Sequence, residues 1–232
     1  MPVSNFLILP FLAVPASPQN IAVGQQTQTQ SANKNSPKLL EELEQLEKED
    51  QTCRKKCSDW MREYGQQGDK INPKLSIEEK IKILQEGKAL FDRSAENDHK
   101  NLKSLRLIID EFGWPTRSMV GEKGARMVWT LVQHADKDPI FQRRCLTLMG
   151  ALPRQEYDIT FFAYLTDRVL ISEGKKQLYG TQFEIDSSGK HFVPKPIEDE
   201  INVDKRRAEV GLEPLSYYLK QSADFLLKPG SA

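Results

Sequence analysis

The chain has 232 residues, of which 38% are hydrophobic, and this length is enough to bury a sizeable core. Its 33 basic residues equal its 33 acidic residues, so it lacks the basic surplus of a typical nucleic-acid-binding protein, and we expect no nucleic-acid partner. No apolar run approaches the roughly 20 residues that a helix needs to cross a bilayer. We therefore expect a globular protein without a transmembrane segment.

The first 36 residues differ from the rest of the chain. Residues 6–14 form an apolar run, followed by small residues, which resembles a secretory signal peptide. The positive charge that usually precedes such a run is missing, because residues 1–5 contain no Lys or Arg. A tract rich in Gln, Ser, Asn and Thr follows and has little to bury. We predict a leader and a disordered spacer over residues 1–36 in an exported or periplasmic protein; the alternative is a cytoplasmic protein with an apolar tail.

Helical signals dominate from Pro37 onward. Ser36 and Pro37 suit the start of a helix, which we expect to run to about Tyr64. Ser76 opens a second helical region with the capping box Ser-Ile-Glu-Glu, and Gly113 ends the helical pattern. Further helices are predicted at residues 121–135, 139–151, 158–172, 202–211 and 214–227.

The spacing of apolar residues predicts which faces of these helices are buried. In the second helical region, Ile77, Ile81, Leu84 and Phe91 are expected to face inward. The basic run at residues 54–56, Arg-Lys-Lys, is flanked by acidic residues. We expect it to lie on a solvated helix face.

The period of the pattern changes after Gly174. Residues 177–185 alternate as a strand does, residues 186–190 have the composition of a turn, and residues 191–193 return, which predicts a small antiparallel hairpin. The predicted fold is therefore mainly α, a helical domain with one small β-hairpin near the C-terminal side. The predicted regions are the leader and spacer (1–36), a charged amphipathic helical region (37–96) and a helical domain with the hairpin (97–228).

Cysteine and histidine do not indicate a metal site. Cys53 and Cys57 lie four apart on a predicted helix, which is poor geometry for a disulfide, and a single pair has too few ligands for zinc. We expect these two residues and Cys145 to be partly buried thiols. The three histidines share no ligand spacing, so no metal ligands are predicted, and the sequence does not identify a cofactor.

Polar clusters interrupt otherwise apolar elements between residues 129 and 182. His134 lies at the edge of an apolar helical stripe, and Asp167 shares a helical face with Tyr164 and Ile171. Ionisable groups in such positions are costly unless they are paired, and such pairing concentrates at working sites. We predict that His134 and Asp167 are catalytic, and that Asp167 is buried and paired with a cation. The alternative is that Asp167 forms a structural salt bridge.

A second group of residues is predicted to hold a substrate. Tyr and Gln side chains can donate or accept hydrogen bonds, and neighbouring arginines can clamp a carboxylate or a phosphate. The alternatives are hairpin packing and pairing of the arginines with nearby acidic residues. The predicted substrate-binding residues are Tyr164, Arg168, Tyr179, Thr181, Gln182, Arg206 and Arg207.

The order of several segments resembles a bacterial family of unknown function. The segments are Gly-Trp-Pro-Thr (113–116), Gln-His-Ala-Asp (133–136), Ala-Tyr-Leu-Thr-Asp-Arg-Val (163–169), Gln-Leu-Tyr-Gly-Thr-Gln (177–182) and Arg-Arg-Ala-Glu-Val-Gly-Leu (206–212), followed by Pro-Leu (214–215). The resemblance covers roughly residues 101–219. It implies the architecture of that family and no particular activity.

The sequence leaves two functions open. In the first, a site for a small anionic or polar molecule supports hydrolytic or group-transfer chemistry, with His134 as general base and Asp167 to orient it. In the second, the protein is a non-catalytic binding or interaction protein, in which the polar clusters form a buried structural network and the helices of residues 37–112 meet a protein partner. An open pocket shared by His134, Asp167 and Gln182 favours the first, and a closed, fully paired network favours the second. We favour the first because the polar residues are several and of complementary types.

Overall fold

The structure is a computed structural model, and it describes residues 36–65, 74–186 and 192–227. Within these ranges lie seven α-helices and one two-stranded antiparallel sheet, which confirms the predicted mainly helical fold with a small β-hairpin. The predicted leader and most of the spacer, together with His191, lie outside the described residues. Across the described ranges, no helix combines the length and the apolar character that are needed to cross a membrane.

The chain divides into two compact units. The N-terminal unit is Ser36–Leu152, and the described part of the C-terminal unit begins at Pro153. The predicted boundary between residues 96 and 97 falls inside one uninterrupted helix, Ile77–Phe112. The helix continues through the predicted boundary, because Asn97 and the neighbouring residues on its face are buried in the N-terminal unit.

The described part of the N-terminal unit contains four α-helices. They are α1 (Pro37–Trp60, followed by a π-helical turn at Met61–Gly65), α2 (Ile77–Phe112), α3 (Arg117–Gln133) and α4 (Pro139–Gly150). As predicted, Pro37 stands in the first turn of α1, and Ser76 and Glu79 form a reciprocal capping box at the start of α2. The helices α1, α2 and α3 pack on one another, and Leu43 and Leu105 are completely buried in the core between them.

The predicted inward face of the first half of α2 is wrong. The residues concerned are exposed: Ile77 (73%), Ile81 (48%), Leu84 (54%) and Phe91 (43%). A different side of the helix is buried, the side that carries Gly87. A Cβ added at Gly87 would lie only 2.4 Å from the indole ring of Trp60, so the absence of a side chain is what lets the ring approach. The apolar stripe lies largely on the solvent side of the helix, although the Phe91 ring packs edge to face on Trp60, with ring centres 6.0 Å apart.

Two glycines with positive φ lie between α2 and His134. Gly113 (φ 68°) ends α2, and Gly121 (φ 69°) kinks α3 near its start. His134 directly follows α3 and is its C-cap residue. Asp138 then caps α4 by accepting the backbone N–H of Phe141 at 3.0 Å.

The described part of the C-terminal unit contains three α-helices and the sheet. In chain order these elements are α5 (Ile159–Ser172), β1 (Phe183–Ile185), β2 (Phe192–Pro194), α6 (Val203–Glu209) and α7 (Leu215–Leu227). The two strands are antiparallel, with Glu184 opposite Val193. The predicted strand over residues 177–185 is wrong at its beginning, since residues 177–182 form a loop in which Gly180 has φ 70°. A residue in the left-handed region does not continue a regular strand.

The orientation of α2 leads to a test by truncation of two leucines in the same helix. Leu84→Ala changes a side chain that is 54% exposed, and it should lower the free energy of unfolding by less than about 0.5 kcal/mol. Leu105→Ala changes a completely buried side chain, and it should lower the free energy of unfolding by about 2–5 kcal/mol. Urea unfolding followed by circular dichroism measures both values. Equal losses would contradict the orientation described above.

Candidate functional site

Asp167 is completely buried and accepts hydrogen bonds from a loop of its own unit. It lies on α5. Its Oδ1 accepts the backbone N–H of Leu178 at 2.7 Å and that of Tyr179 at 3.0 Å. Its Oδ2 accepts the backbone N–H of Thr181 at 2.9 Å and the hydroxyl of the same residue at 3.0 Å. Three amides and one hydroxyl therefore converge on one carboxylate, and they hold the 177–182 loop against α5.

This geometry corrects one prediction. Asp167 is buried as expected, but its hydrogen-bond donors are amides and a hydroxyl and not a cation. Burial raises the pKa of Asp167, and the hydrogen bonds from the loop oppose that rise. The loop can replace a cation because its backbone turns at Gly180 and presents successive N–H groups to one side, an arrangement that suits an anion.

The side chain of Gln177 forms hydrogen bonds across the same loop. This side chain is completely buried, and its Nε2 donates to the carbonyls of Gln182 and Lys195, each at 2.8 Å. Its Oε1 accepts the backbone N–H of Gln182 at 2.8 Å. The side chain of Gln182 in turn donates from Nε2 to Thr181 Oγ1 at 3.2 Å. Gln182, predicted to bind substrate, thus takes part in the internal hydrogen bonding of the loop.

Arg206 and Arg207 of α6 direct donors at backbone carbonyls of the C-terminal unit. Arg206 donates from Nε to the carbonyl of Leu178 at 2.9 Å. Arg207, only 1% exposed, donates from Nη1 to the carbonyl of Tyr179 at 2.6 Å and from Nε to that of Glu213 at 2.5 Å. The two arginines therefore bind the carbonyl groups of Leu178 and Tyr179, two of the three residues whose N–H groups bind Asp167.

The other predicted substrate-binding residues also lie in the C-terminal unit. Tyr164 packs edge to face on Tyr218, with ring centres 6.1 Å apart, and the guanidinium of Arg207 lies 5.1 Å from the centre of the Tyr218 ring. Arg168 is half-buried on α5. Burial raises the pKa of Tyr164 and that of Tyr179, so both phenols are protonated at neutral pH.

A second polar cluster lies in the N-terminal unit and connects three of its helices. Asp50 of α1 is completely buried; its Oδ2 lies 3.0 Å from Nδ1 of His134, at the end of α3. Its Oδ1 accepts a hydrogen bond from Arg54 Nε at 3.0 Å. Arg54 also donates from Nη2 to Oδ1 of Asp98, on α2, at 2.6 Å. We call these four residues, which contact one another in the order His134–Asp50–Arg54–Asp98, the polar chain.

The contact with Asp50 favours one state of the His134 ring. An ionised carboxylate only accepts hydrogen bonds, so we expect the Nδ1 that faces it to carry a proton. The ring is not aligned for an ideal hydrogen bond, but the 3.0 Å separation is well within contact distance. Burial raises the pKa of Asp50, yet the contacts with His134 and Arg54 outweigh burial and bring the pKa below its ordinary value. Asp50 is thereby held as a buried anion.

The two ends of the polar chain line one surface depression of about 530 Å³. His134 and Asp98 both contribute to its wall, and Asp50 and Arg54 join them from the interior. Burial raises the pKa of Asp98 to about 6, although the nearby Arg54 opposes the rise. The other charged or titratable residues of the wall are Glu96, His99, Lys100, Lys103 and Lys137.

Within the described ranges, no three His, Cys, Asp or Glu side chains are grouped as ligands for a metal ion. The cysteines are free thiols; Cys57 and Cys145 are buried, and Cys53 is half-buried. Burial raises the pKa of Cys145 to about 12, which keeps that thiol protonated and unreactive at neutral pH.

The predicted catalytic pair is divided between the two units. His134 and the other residues of the depression belong to the N-terminal unit, and Asp167 and Gln182 belong to the C-terminal unit. The carboxylate that contacts Nδ1 of His134 is Asp50, where Asp167 was predicted. A pocket shared by His134, Asp167 and Gln182 would involve both units, and it stays a prediction.

Sequence reasoning missed Asp50, Arg54 and Asp98, although a signal for two of them is present. Asp50 follows Leu43 by seven residues and precedes Cys57 by seven, so it lies in the apolar stripe of α1. Arg54 follows Asp50 by four residues, which is the spacing of a helical ion pair. The predicted solvated face is wrong for Arg54, which is 8% exposed because its guanidinium lies between two carboxylates.

A family of unknown function, DUF6624, matches residues 84–228, which is more than half of the chain. The protein belongs to this family. The match confirms the resemblance to a family of unknown function, and it begins upstream of the segments on which that resemblance was based. The matched range of DUF6624 includes His134, Asp98 and Asp167, whereas Asp50 and Arg54 precede it. No curated protein and no solved structure gives a match.

Replacement of Asp167 by Asn tests whether the carboxylate organises the 177–182 loop. Asp167→Asn keeps the size of the side chain but removes the charge and places an NH₂ group among N–H donors, so the free energy of unfolding should fall by about 3 kcal/mol. Hydrogen exchange should also show faster exchange at the amides of Tyr179 and Thr181. Glu209→Gln, at an exposed acid of α6, is the matched control and should leave both measurements unchanged. Unaltered protection of the two amides in Asp167→Asn would contradict the contacts.

Proposed function

We propose that the protein binds a small anionic or polar molecule in the depression of the N-terminal unit, and that His134 exchanges a proton with it. The observation that carries this proposal is the contact between His134 Nδ1 and the buried Asp50, at the wall of that depression. A buried carboxylate that holds one ring nitrogen of a histidine selects its tautomer and its orientation. His134 thus has the environment of an acid–base residue.

The charges of the depression favour an anion. Three lysines, Lys100, Lys103 and Lys137, stand on its wall against two acidic residues, Glu96 and Asp98. With Arg54 and Asp50 of the polar chain included, four cations stand against three carboxylates, so positive charge is in excess. A carboxylate or a phosphate group on the ligand would balance that excess.

The class of reaction that we propose is hydrolysis or group transfer with proton transfer by His134. Asp50 takes the orienting role for which Asp167 was predicted. For Asp167, Arg206 and Arg207 we propose a structural role, which is supported by their hydrogen bonds to the backbone of the 177–182 loop. Export of the protein from a bacterial cell also stays a proposal, supported by the apolar run at residues 6–14.

A second candidate function is a non-catalytic interaction protein. The observation that favours it is the exposed apolar stripe of α2, where Ile77, Ile81 and Leu84 are exposed in the region 37–112. The closed hydrogen bonding around Asp167 is also what this candidate requires. In that case the polar chain would serve only to hold helices together, and anions would not bind in the depression.

A titration with small anions separates the two candidates. We expect inorganic phosphate, pyrophosphate or citrate to shift the backbone amide resonances around His99, Lys103 and His134 in the full-length protein, because these residues surround the depression. Lys103→Glu should weaken the binding of the effective anion by about tenfold, since it replaces an attractive charge by a repulsive one. Lys82→Glu, an equivalent exposed change on α2 outside the depression, is the control and should have little effect.

Two results would contradict the proposed ligand site. One is that none of the three anions shifts the amides of the depression. The other is that Lys103→Glu and Lys82→Glu weaken the binding equally, which would mean that the anions respond to the general charge of the surface. Either result would leave the interaction protein as the better proposal.

A further inference from the structure

The polar chain contains two carboxylates but only one fixed cation. Asp50 and Asp98 are two carboxylates, and Arg54 lies between them as the cation that contacts both. A guanidinium stays protonated at any ordinary pH. With both carboxylates ionised and His134 neutral, the chain carries one uncompensated negative charge in a largely buried position, which is unfavourable. One additional proton makes the chain neutral.

Only the ends of the chain can take up that proton. Asp50 is completely buried and is held as an anion by its contacts with His134 and Arg54. His134 and Asp98 remain, and both line the depression. We propose that His134 and Asp98 share one exchangeable proton, so that Asp98 is a second proton-exchanging residue of the depression and Arg54 is its positioning residue. This inference rests on the proposed function, since it names a second working group of the same site.

The partly exposed position of Asp98 agrees with this role. Its side chain is 25% exposed, whereas that of Asp50 is 0% exposed, so Asp98 can exchange protons with a ligand or with solvent. The pKa of Asp98, raised by burial to about 6, lies much closer to neutrality than that of an ordinary aspartate. Asp98 can therefore gain or lose a proton near the pH at which proteins work.

Other charged groups near the chain largely oppose one another. Next to Asp98, the charge of Asp136 raises its pKa and the charge of Lys137 lowers it, both from the segment between α3 and α4. On α1, Glu47 is close enough to Asp50 to feel its charge, and Arg126 and Lys123 of α3 offset Glu47. The remaining titratable groups that face the chain are the buried thiol of Cys57 on α1 and Glu96, His99, Lys100 and Lys103 on α2. Arg54 is the cation in direct contact with Asp98.

The sharing of a proton suits a ligand that must both receive and lose one. Between the two titration midpoints the pair holds one proton. When that proton resides on His134, His134 acts as a donor to an anionic oxygen of the ligand and the ionised Asp98 acts as the acceptor. After this exchange the pair again holds one proton, now on Asp98, so there is no net uptake, and exchange with solvent returns the proton to His134. This predicts ligands with an ionisable oxygen, such as carboxylic acids or phosphate monoesters.

The experiment is an NMR pH titration of the full-length protein, labelled with ¹³C, that follows the Cε1 signals of histidine and the Cγ signals of aspartate. The chain has only three histidines, so His134→Asn assigns the His134 signal directly. In the unmodified protein we expect His134 and Asp98 to titrate in two steps with the same two midpoints, as coupled groups do. In Asp98→Asn the chain is neutral without the extra proton, so the titration midpoint of His134 should move to lower pH by about one unit.

Glu96→Gln is the matched control, because Glu96 lies on the same helix and the same wall but outside the polar chain. It should move the His134 midpoint by no more than about 0.2 units, as expected for an exposed and screened charge. An equal shift in Asp98→Asn and Glu96→Gln, or no shift in either, would overturn the proposal.

The titration of the unmodified protein decides the question if Asp98→Asn does not fold. A single-step titration of Asp98, with no matching inflection in the His134 signal, would overturn the shared proton. Failure of the proposed function gives a different result, namely coupled titration of the two groups without any response of the depression to phosphate, pyrophosphate or citrate. Binding of an anion with uncoupled titration would instead retain the ligand site and remove the shared proton.

Discussion

A carboxylate without access to solvent stays ionised only if the protein surrounds it with donors, and Asp50 imposes this condition on the N-terminal unit. Arg54 is supplied by the same helix and His134 by the end of α3, while Arg54 reaches on to Asp98 of α2. The contacts that neutralise Asp50 therefore also set the positions of three helices relative to one another. As a result, the orientation of His134 is a consequence of the folding of this unit, and changes at Asp50 should affect stability and site geometry together.

The C-terminal unit neutralises a buried carboxylate by a different means. Asp167 is bound by N–H groups of the 177–182 loop, and the carbonyls of the same loop are bound by Arg206 and Arg207. These hydrogen bonds satisfy both N–H groups and carbonyl groups of the loop. They stabilise an irregular loop that does not belong to the two-stranded sheet. The polar chain differs because its two ends reach a depression of the surface. This difference is why we assign binding to the N-terminal unit and a structural role to Asp167.

Local signals in the sequence were sufficient for most helix boundaries, since caps such as Ser76 and Asp138 act within one turn. They were insufficient where a contact between residues far apart in sequence decides which side of a helix is buried or whether a segment forms a strand. Apolar spacing defined a stripe on α2, but Trp60 packs against Gly87 on another side of the helix, and that side is buried. The alternation of side chains over residues 177–185 suggested a strand. The first six of these residues instead form a loop whose N–H groups donate to Asp167. The pairing of His134 with Asp50 joins two helices far apart in sequence, and no local pattern reports it.

The tautomer of His134 is the most direct measure of whether Asp50 orients the ring. Long-range ¹H–¹⁵N correlation spectra of the full-length protein distinguish a protonated Nδ1 from an unprotonated one. We predict that Nδ1 of His134 carries a proton throughout the pH range in which the protein is folded, because it lies 3.0 Å from a carboxylate that only accepts hydrogen bonds. In Asp50→Asn this preference should be lost. A His134 ring protonated only at Nε2 in the unmodified protein would place two acceptors against each other, and it would contradict the orientation of His134 by Asp50.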